Sequence, residues 1–124
     1  QNALSVWYVE DDESNLDQVV TALAANCEHL AHLDYILFDG RIVSELNIDI
    51  ADSKAKTPDR EADQWHCDLL RLSAQKLVQL AGMVIDDAEP QRVTLKQVRE
   101  LIRQAVNSGR ICRGDLKPGI RDKI

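Results

Sequence analysis

The sequence predicts an α+β fold in the order β-α-β-β-α-α, a small three-stranded sheet with helices packed on one face. Three observations carry that expectation: apolar residues recur at helical spacing in separated stretches, an Asp-Gly pair divides two strand-like runs, and no internal repeat or regular β/α alternation is present. The chain has 124 residues, of which 44% are hydrophobic and 29% charged. A chain of that length buries roughly two-thirds of its unfolded surface, so residues 1–124 are expected to form a single domain without disulfide or metal staples. Gln1-Asn2-Ala3 is read as a processed end or an expression remnant, because it has neither a methionine nor a basic-plus-apolar signal region.

The elements follow in order. Leu4-Ser-Val-Trp-Tyr-Val9 is rich in strand-favouring residues and gives way to the polar turn Glu10-Asp-Asp-Glu13. From Ser14, the residues Leu16, Val19, Val20, Leu23, Cys27 and Leu30 keep helical spacing, and the preceding acids suit a helix N-terminus, so a helix is expected over 14–33. Tyr35-Ile-Leu-Phe38, Asp39-Gly40 and Arg41 to Ile50 read as a β-hairpin, since both turn residues tolerate positive φ. The first strand is then able to pair in parallel with a hairpin strand across a right-handed helical crossover.

Residues 51–58 have linker composition, and Thr57-Pro58 looks like an N-cap with proline at the first helical position. The stripe Ala62, Trp65, Leu69, Leu72, Leu77, Leu80 extends that helix over 59–86, with Gly82 its weak point. At ~1.5 Å per residue such a helix is roughly 40 Å long, more than a short sheet covers. A homodimer through residues 59–86 is therefore expected. Pro90 blocks continuation, Thr94 with Gln97 forms a capping box, and Gly109 stands at the C-cap position, giving a last helix over 94–108. Residues 110–124 lack any period and read as an irregular basic tail.

Charge is segregated. Residues 1–62 hold 13 acidic and 4 basic side chains, residues 63–124 hold 8 and 11, and together these give the net charge of −6. The acidic patch formed by Glu10, Asp11, Asp12, Glu13, Asp17, Glu45 and Asp49 is the predicted partner-binding surface, because such patches speed encounter with basic proteins. Arg92, Lys96, Arg99 and Arg103 recur at helical spacing and form the alternative, a basic stripe for phosphates of a nucleic acid. Net acidity, few aromatic residues and no known reading motif weigh against that alternative.

Val9-Glu-Asp-Asp12 after a strand and Asp39 after another resemble the acidic pocket of a response-regulator receiver domain. The length excludes it, since one helix fills the whole interval from Asp12 to Asp39. Cys27, His29, His32, His66 and Cys67 lack the pairing of a metal site, and Cys27 belongs to an apolar stripe, so no metal and no other cofactor is expected. Scattered glycines and the absence of a nucleophile signature leave no readable catalytic residue. The expected function is a small acidic protein-binding module of the inhibitor, immunity or chaperone-like kind; an enzyme with no sequence-visible motif ranks below both binding readings. Three cysteines at wide spacing suit a reducing cytoplasm, and no apolar run is long enough to span a membrane.

Overall fold

The computed structural model describes residues 3–124; the first two residues of the proposed terminal remnant lie outside the described part. β1 (Leu4–Trp7), β3 (Asp49–Asp52) and β4 (His66–Leu70) form a three-stranded sheet in the order β1-β4-β3, and β2 (Leu33–Tyr35) pairs with β5 (Gln91–Val93) in a second sheet. All three pairings are antiparallel, with Leu4 opposite Leu69, Ile50 opposite Leu69 and Leu33 opposite Val93. Five helices complete the chain: α1 (Leu16–Ala25), α2 (Arg41–Glu45), α3 (Ala74–Asp87), α4 (Leu95–Asn107) and α5 (Pro118–Arg121). The α+β class and the three-stranded sheet are as expected, and the predicted order is followed roughly, with short elements added.

Two apolar clusters hold the fold. Ile42, Val43, Leu69, Leu72, Leu80 and Val84 bring α2 and α3 onto the three-stranded sheet. Ala24, Ala25, Val98, Ile102, Ile111 and Ile120 join α1, α4 and the C-terminal segment. Among the described residues, no helix is long and apolar enough to cross a membrane.

Four expectations are corrected. The hairpin at Asp39-Gly40 does not form: Gly40 takes φ −60°, and Asp39 accepts the Arg41 amide at 2.9 Å and its guanidinium in two further bonds. That local ion pair turns the chain into α2, and Asn47, at φ 53°, redirects the chain just past the helix end. The parallel pairing of β1 falls with the hairpin, since β4 takes that place. The continuous helix over 59–86 is replaced by a 3-10 turn (Ala62–Trp65), β4 and α3. β4 is the central strand, hydrogen-bonded on both sides, and that pairing outweighs the helical period of Trp65, Leu69 and Leu72. Arg71 at φ 54° ends it, and Ser73 caps α3 by accepting from Lys76 N. Gly82 lies inside α3 without breaking it. With the long helix goes the dimension argument for self-association, because Leu80 and Val84 are buried in the chain's own core.

Thirdly, α1 stops at Ala25 rather than 33, since Leu33 is needed opposite Val93. Lastly, the segment 110–124 is not irregular: it contains a 3-10 turn (Arg113–Asp115) and α5, and buries Ile111, Leu116 and Ile120. α4 matches its prediction closely, with the Thr94–Gln97 capping box complete and Gly109 at φ 82° just past its end. A Thr94→Ala variant is expected to lose about 1 kcal/mol of stability in urea unfolding; no loss would mean the box is not formed in solution.

Candidate functional site: an acidic cleft over an apolar cavity

The turn after β1 is built by Asn15, a buried residue whose Oδ1 accepts from Glu10 N at 2.7 Å and whose Nδ2 donates to the Tyr8 carbonyl at 3.1 Å. Glu13, at φ 59°, completes the turn and delivers the chain into α1. The acids of this turn are thereby held at the C-terminal end of β1. Across from them, Asp39 is held at the end of the segment 36–38 that extends β2.

Between these two ends lies a cleft of about 870 Å³, its rim carrying Glu10, Asp11, Glu13, Asp39 and Asp87 against Arg41. Its floor is apolar, with Val6, Trp7, Ile36, Phe38, Val43 and Leu69. A smaller cavity of about 360 Å³ shares the same two walls and is lined also by side chains of α1 such as Leu16 and Leu23 and of α3 such as Leu80 and Val84. Leu4, Leu77 and Ala81, all exposed, stand at its outer mouth.

One ion pair on the rim, Asp39 with Arg41, is fixed by direct contact. Hydrogen bonds and charge from Arg41 hold the Asp39 carboxyl below the usual carboxylate range, and Asp39 raises the Arg41 guanidinium in turn. The neighbouring charge of Glu10, which also accepts the Tyr8 hydroxyl at 3.3 Å, pushes the Tyr8 hydroxyl above its ordinary value. Five carboxylates against one guanidinium, already engaged by Asp39, leave a surplus of negative charge around an apolar floor.

The predicted acidic patch is thus divided. Glu10, Asp11 and Glu13 meet at the cleft, whereas Asp12 does not line it; Asp12 accepts from the Ser14 amide, which lowers its pKa. Asp17 and Glu45 are exposed outside the cleft, and Asp49 is paired to Arg71 at 2.9 Å. Asp39 and Asp87 are rim residues that charge counting near the N-terminus missed.

The basic stripe is divided too. Arg92 lies in β5, where its guanidinium grips Asp34 at 2.8 and 3.0 Å. Arg99 is half-buried with its Nε enclosed and without a hydrogen-bond partner, while Lys96 and Arg103 are exposed on α4. Arg92 holds the Asp34 carboxyl below its ordinary value. Because the folded pKa is lowered, the pair favours the folded state above the unfolded carboxyl pKa and loses that contribution as pH falls through the folded one. An Arg92→Ala variant should return the Asp34 titration, followed by carboxyl NMR, to the ordinary range; an unmoved titration would show that the bidentate pair is absent in solution.

The cysteines and histidines do not converge. Cys27 is exposed at the end of α1, Cys67 faces Asp52, and burial pushes the Cys67 thiol up. His66 packs edge-on against Trp7 and bonds the Ser53 carbonyl through Nδ1, His29 lies against Gly119, and His32 faces Asp34. No family model matches the chain, and neither the curated proteins nor the solved structures contain a match.

A second polar centre lies apart from the cleft. Asp59 and Asp63, each 1% exposed, share Thr57: its hydroxyl donates to Asp63 Oδ1 at 2.6 Å and accepts from Asp59 N at 3.1 Å. Asp59 Oδ1 accepts from Ala62 N and Gln18 Nε2. Its Oδ2 lies 3.1 Å from Arg110 Nε, a charge contact that lacks the direction of a hydrogen bond. Here Thr57 ties a loop together, rather than capping the long helix the sequence suggested.

Proposed function

We propose that the chain is a protein-binding module that holds a basic partner in the cleft between β1 and the 36–38 segment, as inhibitor, immunity and chaperone-like proteins hold theirs. The supporting observation is the combination of an anionic rim with an apolar floor in one concave surface. Rim charge steers and orients a cationic partner, while burial of apolar side chains on the floor supplies lasting affinity. A flat acidic surface would give the first effect without the second.

The test compares two charge-matched variants against labelled lysine-rich peptides that carry aliphatic side chains. Glu10→Gln, Asp11→Asn and Glu13→Gln together should weaken binding roughly tenfold and flatten its salt dependence. Asp12→Asn, Asp17→Asn and Glu45→Gln remove the same formal charge outside the cleft and should change it little. Equal effects of the two triple variants would place the interaction in the net charge and not in the cleft.

A further inference from the structure

The walls of the cleft and of the inner cavity have a property that the acidic rim does not require. β1 is an edge strand, since the sheet order β1-β4-β3 leaves its outer side unpaired. Tyr8 N donates to the Trp65 carbonyl at 2.8 Å, and in the same register Val6 faces Cys67 and Leu4 faces Leu69. In an antiparallel ladder, bonded and non-bonded pairs alternate. Tyr8, Val6 and Leu4 therefore bond inward to β4, and Ser5 and Trp7 turn their N–H and C=O groups to the free edge.

The opposite wall is Ile36-Leu37-Phe38, which prolongs β2 beyond its last pair, Tyr35 with Gln91. All three residues are half-buried, yet among the described residues their backbone groups have no hydrogen-bond partner. Backbone amides and carbonyls are ordinarily satisfied by secondary structure or water, and the cavity beside residues 36–38 is lined almost wholly by apolar side chains, which gives water few partners. The two walls also run in the same direction: Leu4 to Trp7 and Tyr35 to Phe38 line the inner cavity, and the continuation of each reaches the acidic rim.

We propose that the space between β1 and residues 36–38 takes an extended segment of the basic partner as an added β-strand, joining the two sheets of this protein into one. Running antiparallel to both walls, the segment completes a six-stranded antiparallel sheet in the order β3-β4-β1-partner-β2-β5, with ladder bonds to Ser5, Trp7 and the 36–38 backbone. Alternate side chains of the segment are apolar and enter the inner cavity. Because both walls reach the acids at their C-terminal ends, the antiparallel segment brings its N-terminal residues to the rim, and these are the lysines or arginines. The inference rests on the protein-binding reading and adds to it the backbone conformation, the direction and the residue pattern of what is bound.

The probe is a heptapeptide of two lysines followed by alternating valine and threonine, measured by fluorescence anisotropy with amide hydrogen exchange as the structural readout. Expected results are one-to-one binding, slowed exchange at Ser5, Trp7 and Leu37, and weaker binding by about tenfold or more when alternate peptide amides are N-methylated. Moving the lysines to the C-terminus of the peptide should weaken it as well. Ser5→Pro should block binding while preserving the fold, since the Ser5 N–H faces the free edge and not β4.

Equal affinity of the N-methylated peptide would overturn strand addition and leave the charge-reading cleft intact. A peptide set that fails to bind, alongside a folded basic protein that still distinguishes the two charge variants, would do the same. Sedimentation showing that two copies of this chain pair through their β1 edges, with exchange at Ser5 and Trp7 slowed without peptide, would also overturn it.

Discussion

Replacing Gly119 with alanine is expected to destabilise the protein by about 3 kcal/mol, seen as a fall in Tm of roughly 10 °C. Pro118 and Gly119 open α5, whose Ile120 is fully buried in the cluster around Ile102. That burial brings Gly119 against the turn after α1, where a Cβ would overlap the backbone carbonyl of Glu28 and the His29 ring. The ring is able to rotate away; the carbonyl moves only with its chain. Lys117 fixes that chain in place, donating to the Asn26 carbonyl at 3.1 Å and pairing with Glu28 at 3.2 Å. Gly82→Ala is the matched control. Nothing lies within 4 Å of a Cβ there, and the residue is inside α3, so alanine should gain between about 0.5 and 1 kcal/mol. A Gly119→Ala protein that melts like the parent would show that the C-terminal segment does not dock on residues 26–29.

The C-terminal segment also shows where the sequence was hard to read. Ile111, Leu116 and Ile120 are too widely spaced for a period and stand among charged residues, so only their docking on α4 makes them core. α4 was legible because its signals are local: the Thr94–Gln97 box, one apolar face and a following glycine all lie within one helix. The stretch 59–86 failed for the complementary reason. Trp65, Leu69 and Leu72 fit a helical stripe, but β4 is specified by strands 15 and more residues away in the chain, of which one-dimensional spacing carries no trace. The local sign that did exist was Ser73, three residues before the Lys76 amide it caps. Asp39-Gly40 was ambiguous between a hairpin turn and a helix start, and the Asp39–Arg41 ion pair decided it. For the cleft, Glu10, Asp11 and Glu13 were legible as a charge run. Asp39 entered only through the receiver-like likeness that the chain length ruled out, and Asp87 and the free edge of β1 were not legible, because they arise from topology.

Asp63→Ala is expected to cost about 3 kcal/mol, because Asp63 supplies the acceptor for the buried Thr57 amide. Its carboxylate accepts the Thr57 amide at 3.0 and 3.2 Å and the Thr57 hydroxyl at 2.6 Å, at a site where Thr57, Asp59 and Asp63 are all buried. Hydrogen bonds to a charged group contribute roughly 1.5–3 kcal/mol each, and their loss leaves a buried N–H without a partner. Asp63→Asn keeps one carbonyl acceptor for the Thr57 amide and offers the hydroxyl a donor instead of an acceptor, so about half the loss should remain. The effect reaches beyond the loop, because the same centre binds α1 through Gln18 and the C-terminal segment through Arg110. Urea unfolding should therefore show a lower midpoint with an unchanged slope, as expected when native contacts are lost and the denatured chain is unaltered. None of these residues lines the acidic cleft or its cavity. Below its unfolding transition, the Asp63→Ala protein should accordingly bind the lysine-rich peptides as the parent does. A loss of affinity in protein that is still folded would make the buried aspartates part of the binding site.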